Sequence, residues 1–119
     1  MTKVIPTEHQ EQVMLFRWAE WALHPNLLYA IPNGGKRDIR TAAMLKAEGV
    51  KPGVPDIFLP IACGGKHGLY IELKRRKGGT VSKAQEAWIR ALTAQGYVCS
   101  VCHGWEEARA EILRYLEDK

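Results

Sequence analysis

The sequence lacks any long apolar run, since no stretch approaches the roughly 18–20 consecutive apolar residues that a membrane-spanning helix requires. The N-terminal segment MTKVIPTEHQEQ also lacks the apolar centre of a signal peptide. These absences predict a cytoplasmic protein with no membrane partner. Its three cysteines would then remain thiols, because disulfides are rare in a reducing cytoplasm.

Internal repeats, low-complexity tracts and linkers are also absent. The 119 residues therefore predict one domain over 1–119, which is long enough to form a core without metal or disulfide staples. The excess of positive charge is small, because 17 Lys and Arg against 13 Asp and Glu give a net charge of +4. Such a charge permits a polyanionic partner but does not by itself indicate one.

The positive charges are concentrated in two places, the basic run 74–77 and a second cluster within 36–40. A run of charge is often only a solvated face. The second cluster follows a glycine loop, and a flexible loop that ends in cations suits close approach to a phosphate backbone. An ordinary glycine turn explains the same residues. The candidate DNA-binding residues are Asn33, Lys36, Arg37, Arg40, Arg75, Arg76 and Lys77.

The cysteines suggest a competing class of protein. Cys99, Cys102 and His103 match the C-x-x-C-H pattern of c-type haem attachment. Haem attachment follows export, for which the sequence carries no signal, and residues three apart on a strand point to opposite faces. A zinc site that joined them to Cys63 and His67 would have only one close cysteine pair. Small buried hydrophobes are the simpler interpretation of these thiols.

Caps, glycines, prolines and apolar runs predict the order α-β-α-β-β-α-β-α. Thr7 and Ser82 each open a capping-box pattern, and the first helix carries an apolar stripe with Met14, Trp18 and Trp21. This order predicts an α/β fold with a mixed sheet of about four strands flanked by helices. The predicted ranges are 7–23, 28–31, 38–48, 56–61, 68–74, 82–95, 97–102 and 106–117.

The strand 69–74 carries charge on one of its two faces. Side chains alternate along a strand, so Leu69, Ile71 and Leu73 share one face while Glu72 and Lys74 share the other. Charged side chains within an apolar strand are costly unless they are paired. Glu72 and Lys74 can pair with each other, but that ion pair leaves unexplained why Asp56 opens the preceding strand.

A hairpin between these strands would bring Asp56 next to Glu72. Two adjacent carboxylates repel each other unless a cation lies between them, and oxygen ligands suit a hard ion such as Mg²⁺ or Mn²⁺. Lys74 would then orient or polarise an attacking water, while the ion offsets charge on a phosphate. The three residues together predict metal-dependent hydrolysis of a phosphodiester.

These residues also resemble a known family. Pro55-Asp56 followed by Glu72-Leu73-Lys74 matches the P-D…(D/E)-x-K signature of the restriction-endonuclease-like superfamily. The flanking segments GVKPGVPDIFLP, GLYIELKRRKGG, SKAQEAWIRALTAQGY and TEHQEQ are similar to the virus-type replication-repair nuclease domain, VRR-NUC, in its stand-alone form. The resemblance runs from about Glu8 to Leu116.

The resemblance implies a restriction-endonuclease-like core and a Mg²⁺- or Mn²⁺-dependent endonuclease. Stand-alone members are expected to be homodimers that resolve four-way (Holliday) junctions. Flap cleavage, nicking and an inactive DNA-binding module of the same fold are the alternatives. A bacterial host cell and a phage or prophage origin are expected on the same ground.

The resemblance also implies individual roles. Asp56 and Glu72 would be catalytic metal ligands, the Leu73 backbone carbonyl would complete the set, and Lys74 would be the catalytic lysine. A glutamate on the first helix is expected at the metal, and Glu8 fits that place best, with Glu11 as its rival. Gln85 corresponds to a catalytic position near the metal, although a glutamine at the third position of a capping box already has a local role.

Overall fold

Residues 4–32 and 39–117 form four helices and four strands in the predicted order, and the predicted ends agree to within a residue or two. In the computed structural model, which describes residues 4–32 and 39–117, the boundaries follow local chemistry. Thr7 and Ser82 are N-caps, and each forms a complete capping box with the glutamine three residues later. The elements are α1 Glu8–Ala22, β1 Tyr29–Ala30, α2 Ile39–Ala47, β2 Ile57–Leu59, β3 Leu69–Lys74, α3 Lys83–Ala94, β4 Val98–His103 and α4 Trp105–Glu117.

The four strands form one mixed sheet in the order β1-β2-β3-β4. β1 pairs antiparallel with β2, and β2 pairs antiparallel with β3, so the predicted hairpin is confirmed. β3 and β4 are parallel and are joined through α3, because parallel neighbours need a crossover connection. β3 therefore has a partner on each side, and the predicted α/β fold with a four-stranded mixed sheet is confirmed.

The main core lies between one face of the sheet and the helices α1 and α4. Leu69, Ile71 and Leu73 of β3 are fully buried there, as the alternation along the strand predicts. α1 contributes Leu15 and Trp18 to this core. The predicted apolar stripe of α1 is partly wrong, because Met14 and Trp21 are 42% and 72% exposed. The buried stripe is narrower than the apolar pattern and takes in Glu11 and Ala19 instead.

The opposite face of the sheet is covered more thinly. α3 lies over it through its N-terminal turn, where Gln85 contacts Glu72 and Lys74. Neither α2 nor α3 has a fully buried residue. The charged side chains of β3 lie on this face, beneath the first turn of α3. Across 4–32 and 39–117, no helix combines the length and apolarity that crossing a bilayer requires.

Candidate active site

The register of the β2–β3 hairpin places Asp56 opposite Glu72. Ile57 pairs with Ile71, so the residue before β2 falls beside the residue after Ile71. The Leu73 N–H donates a hydrogen bond of 2.9 Å to Asp56 Oδ2, which holds the carboxylate against the end of β3. The two carboxylates predicted to meet are brought together.

A close approach between the 51–55 loop and α3 helps to hold Asp56 in place. Gly53 has a φ of +93°, and a Cβ there would lie 2.7 Å from the backbone carbonyl group of Ala84. Only glycine fits both the backbone conformation and the space. The loop that leads into Asp56 therefore rests directly on the first turn of α3, the turn that also carries Gln85.

Glu72 is 2% exposed, and only one of its two oxygens has a partner. Oε2 accepts a hydrogen bond of 3.0 Å from Gln85 Nε2 and lies 3.4 Å from Lys74 Nζ. Oε1 is buried and has no hydrogen-bond partner. An unsatisfied buried carboxylate oxygen is costly, so a native site that keeps one indicates that a ligand binds there.

The raised pKa values of Asp56 and Glu72 favour a cation as the ligand. Burial, followed by the charge of Asp56, raises the pKa of Glu72 to about 8, although Lys74 opposes the shift. Burial also raises the pKa of Asp56. Two carboxyl groups that resist ionisation side by side are stabilised as carboxylates when a cation lies between them.

Gln85 serves the helix and the site together. Its Oε1 accepts hydrogen bonds from the Ser82 N–H at 2.8 Å and from Lys74 Nζ at 3.1 Å. Its Nε2 donates to Glu72 Oε2. The capping role and the site contact are therefore not alternatives, because one amide makes both. Gln85 orients Lys74 and Glu72 relative to each other and to α3.

The donor set fits a hard divalent cation that keeps part of its hydration. Within the described part of the chain, no three or more His, Cys, Asp or Glu side chains form a group that could enclose an ion. Mg²⁺, however, is usually held by one or two carboxylates plus waters and substrate phosphates. The N–H and carbonyl of a strand residue face the same neighbour, so the Leu73 carbonyl points to the side of Asp56. Asp56, Glu72 and Leu73 could together hold such an ion.

The two rival glutamates of α1 have different surroundings. Glu11 is 1% exposed and bonded to Arg76 and to the Trp105 N–H. Glu8 is exposed and lies near the site, where burial and then the charge of Asp56 raise its pKa while Lys74 lowers it. Glu11 is therefore committed to Arg76 and Trp105, whereas Glu8 is within reach of the charges of Asp56 and Lys74.

The candidate DNA-binding residues within the described ranges lie in two separate parts of the structure, on α2 and just after β3. Asn33, Lys36 and Arg37 lie outside the described residues. Arg40 lies on α2, which packs against no other described helix or strand. Arg75 and Lys77 are exposed just beyond the end of β3, close along the chain to Lys74.

Arg76 differs from its neighbours in the basic run. Its guanidinium binds Glu11 and Glu106, at 2.7 Å and 3.0 Å, and so is already occupied. The prediction that treated 75–77 as equivalent cations missed this pair. No local pattern indicates a partner 65 positions away along the chain.

The three thiols lie apart from the site. None of them forms a disulfide, and Cys102 is buried in the main core. Burial raises the pKa of Cys102 to about 12, so its side chain stays a neutral thiol within the core. Cys99 faces the other side of β4, opposite Tyr70 of β3. The pair is therefore not arranged to share one ligand.

Comparison with known proteins supports the fold. A solved structure titled "VRR_NUC domain protein" superposes with a TM-score of 0.83 at 28% sequence identity, covering 96% of this chain and 91% of that chain. The fold and the paired carboxylates with their lysine define a nuclease-type α/β protein. The model of the VRR-NUC domain matches residues 2–106, and the chain belongs to this family. The family predicted from the sequence is confirmed. A search of curated proteins found no match.

Proposed function

We propose that this protein is a divalent-metal-dependent endonuclease that hydrolyses DNA phosphodiester bonds. The observation that carries the proposal is the buried, unpartnered Glu72 Oε1 beside Asp56. An ion bound there would satisfy this oxygen and neutralise the carboxylate pair. Family membership supports the proposal independently, since the VRR-NUC domain is of nuclease type.

The residues of the site have separable roles in this reaction. Bound Mg²⁺ or Mn²⁺ would supply positive charge to offset the charge that develops on the scissile phosphate. Lys74 places its ammonium group at the same end of β3 and orients the attacking water or the phosphate. Gln85 fixes Lys74 through a 3.1 Å contact, so the lysine needs little rearrangement during reaction. Asp56 and Glu72 hold their oxygens towards one point.

A homodimer acting on branched DNA is the favoured form of this function. One chain carries one candidate site, whereas symmetric incision of two strands needs two sites related by a twofold axis. A chain of 119 residues also offers little surface on which to hold a branched substrate alone. The four-way junction is therefore the first substrate to test.

The test is cleavage of a labelled four-way junction, with duplex, flap and single-stranded DNA alongside, in Mg²⁺, Mn²⁺ or EDTA. We expect Lys74→Ala to lower the rate by roughly 10²- to 10⁴-fold, the range for removal of a positioned acid–base or charged group. Lys66→Ala is the matched control, because Lys66 is exposed at the far end of the hairpin. It should cleave as the unaltered protein does.

The outcomes separate the possible functions. Paired symmetric nicks in the junction, abolished by EDTA and by Lys74→Ala, would support the dimeric resolvase. Cleavage confined to flaps would support a metal-dependent endonuclease but show that the four-way junction is not its substrate. Tight DNA binding without metal-dependent cleavage of any substrate would indicate an inactive binding module, and the proposal would be wrong.

A further inference from the structure

Glu11 is a buried carboxylate that the proposed chemistry does not use. Its Oε2 accepts from Arg76 Nε at 2.7 Å, and its Oε1 accepts from the second guanidinium nitrogen of Arg76 at 2.9 Å. The Trp105 N–H, at the start of α4, also donates to Oε1 at 3.2 Å. A two-pronged arginine–carboxylate pair with such distances is strong and geometrically specific.

This pair joins three elements at the edge of the candidate site. Arg76 lies two residues after Lys74, whose carbonyl accepts a hydrogen bond of 3.0 Å from the Gly104 N–H just before α4. The chain that leaves β3 is therefore bound to the start of α4 and, through Arg76, to α1. α1 packs chiefly on α4, so the Glu11–Arg76 pair is its polar connection to the end of β3.

Glu8 lies on the same face of α1 as Glu11. Residues three apart on a helix are neighbours on one face, one turn from each other. The contact that fixes Glu11 on Arg76 therefore also fixes the direction in which Glu8 leaves the helix. Without it, the first turn of α1 would be held at the site only by its cap and by the packing farther along the helix.

We propose that Glu11 and Arg76 are a positioning pair that fixes the first turn of α1, and with it Glu8, at the edge of the Asp56–Glu72 site, so that Arg76 acts on the reaction through Glu8 and not as a phosphate contact. The inference rests on the proposed function, because Glu8 would act on the ion that Asp56 and Glu72 hold. The inference also distinguishes two neighbouring arginines. The Arg75 side chain faces solvent, whereas the Arg76 guanidinium is bonded to Glu11.

The test compares Arg76→Lys with Arg90→Lys, because Arg90 is exposed on α3 and belongs to neither the candidate site nor the candidate DNA-binding residues. Both substitutions keep the charge, but only the first removes a two-pronged contact. We expect Arg76→Lys to weaken Mn²⁺ binding, measured by calorimetry without DNA, and to lower kcat, each by roughly 10- to 100-fold, as for the loss of a residue that orients a ligand. KM for DNA should not change. Arg90→Lys should leave Mn²⁺ affinity and kcat within about twofold of the unaltered protein, on the same scale.

A double-substitution cycle with Glu8→Gln decides whether the pair acts through Glu8. In that background Arg76→Lys should cause little further loss of Mn²⁺ affinity. If the two losses multiply, the pair merely stabilises the fold and the inference is wrong. A raised KM for DNA with unchanged Mn²⁺ affinity would also overturn it, because that result describes a phosphate contact.

The metal titration keeps this inference separate from the proposed function. A protein that binds Mn²⁺ but cleaves no DNA would refute the endonuclease, whereas the Arg76→Lys and Glu8→Gln cycle would still decide the role of the pair. Glu11→Gln is the second variant and should weaken Mn²⁺ binding in the same way. If its buried amide prevents folding, the exposed Arg76→Lys variant still gives the answer.

Discussion

At the scale of single residues, the site combines groups that are unfavourable alone. Glu72 is buried beside Asp56, and one of its oxygens has no partner. Such an arrangement lowers the stability of the metal-free protein, and residues of this kind are retained where function requires them. The site is therefore a region where stability and activity oppose each other.

The raised pKa of Glu72 predicts how stability depends on pH. The folded protein keeps this proton up to about pH 8, whereas the unfolded chain releases it near the ordinary value of 4.5. Between these values the folded state binds more protons, so the stability of the metal-free protein should fall as pH rises. Thermal unfolding in EDTA at several pH values measures this slope.

Two substitutions and the addition of Mn²⁺ can test whether the Glu72 carboxyl causes this pH dependence. Glu72→Gln cannot ionise, so it should reduce the slope and raise the unfolding temperature above pH 8 while abolishing cleavage. Glu117→Gln, an exposed carboxyl at the end of α4, should keep the slope. Mn²⁺ should stabilise the unaltered protein more at pH 8 than at pH 5, because binding requires the deprotonated carboxyl. Equal stabilisation by Mn²⁺ at pH 5 and pH 8 would contradict the prediction that the ion binds the Glu72 carboxylate.

At the scale of elements, α3 carries its cap and a site residue in the same side chain. Ser82→Ala removes the cap and should cost about 1 kcal/mol of unfolding free energy, while Gln85 still reaches Lys74 and Glu72. Gln85→Ala should cost a similar amount and also slow cleavage, by roughly 10- to 100-fold. Denaturant unfolding and junction cleavage separate the two effects. Equal loss of activity in both variants would mean that only the placement of α3 matters.

The 51–55 loop and α3 also depend on each other through Gly53. Gly53→Ala should cost about 1–3 kcal/mol for the backbone strain, with a further cost from the close contact with Ala84. The loop would have to move away, so Asp56 would shift and cleavage would slow. Gly65→Ala is the matched control, since Gly65 also has a positive φ, +77°, but a Cβ there would meet no atom of the described chain within 4 Å. It should lose stability and keep activity; similar cleavage in both variants would contradict the argument.

At the scale of the whole molecule, the surface carries large apolar side chains that a symmetric dimer would cover. Trp21 on α1 is 72% exposed, and it lines a groove of about 490 Å³ with Val13 and Phe16. A buried interface tryptophan contributes about 2 kcal/mol or more, so Trp21→Glu should weaken dimerisation by roughly 30-fold or more. Analytical ultracentrifugation measures this change.

A variant of another helix controls for the choice of surface. Ile39 on α2 is 90% exposed, and Ile39→Glu should leave the dimer intact if α1 forms the interface. Dissociation by Ile39→Glu and not by Trp21→Glu would place the interface on α2. A monomer at every concentration would mean that the homodimer prediction is wrong.

Local patterns in the sequence determined much of this protein. The order of the eight elements follows from caps, glycine stops and apolar periodicity, which act over a few residues. The meeting of Asp56, Glu72 and Lys74 also follows, because alternation along β3 and a short hairpin fix which side chains share a face. The family is recognisable from the same segments.

The remaining decisions were made by tertiary packing. The sequence leaves Glu11 as a rival of Glu8 for the same place, and only the contact with Arg76, 65 positions later, shows that Glu11 is committed elsewhere. Gln85 makes its cap and its site contact together because α3 crosses over β3. Trp21 remains exposed because α4 covers a narrower stripe than the apolar pattern of α1 offers. These contacts join residues far apart along the chain, and their geometry exists only once the sheet and helices have packed together.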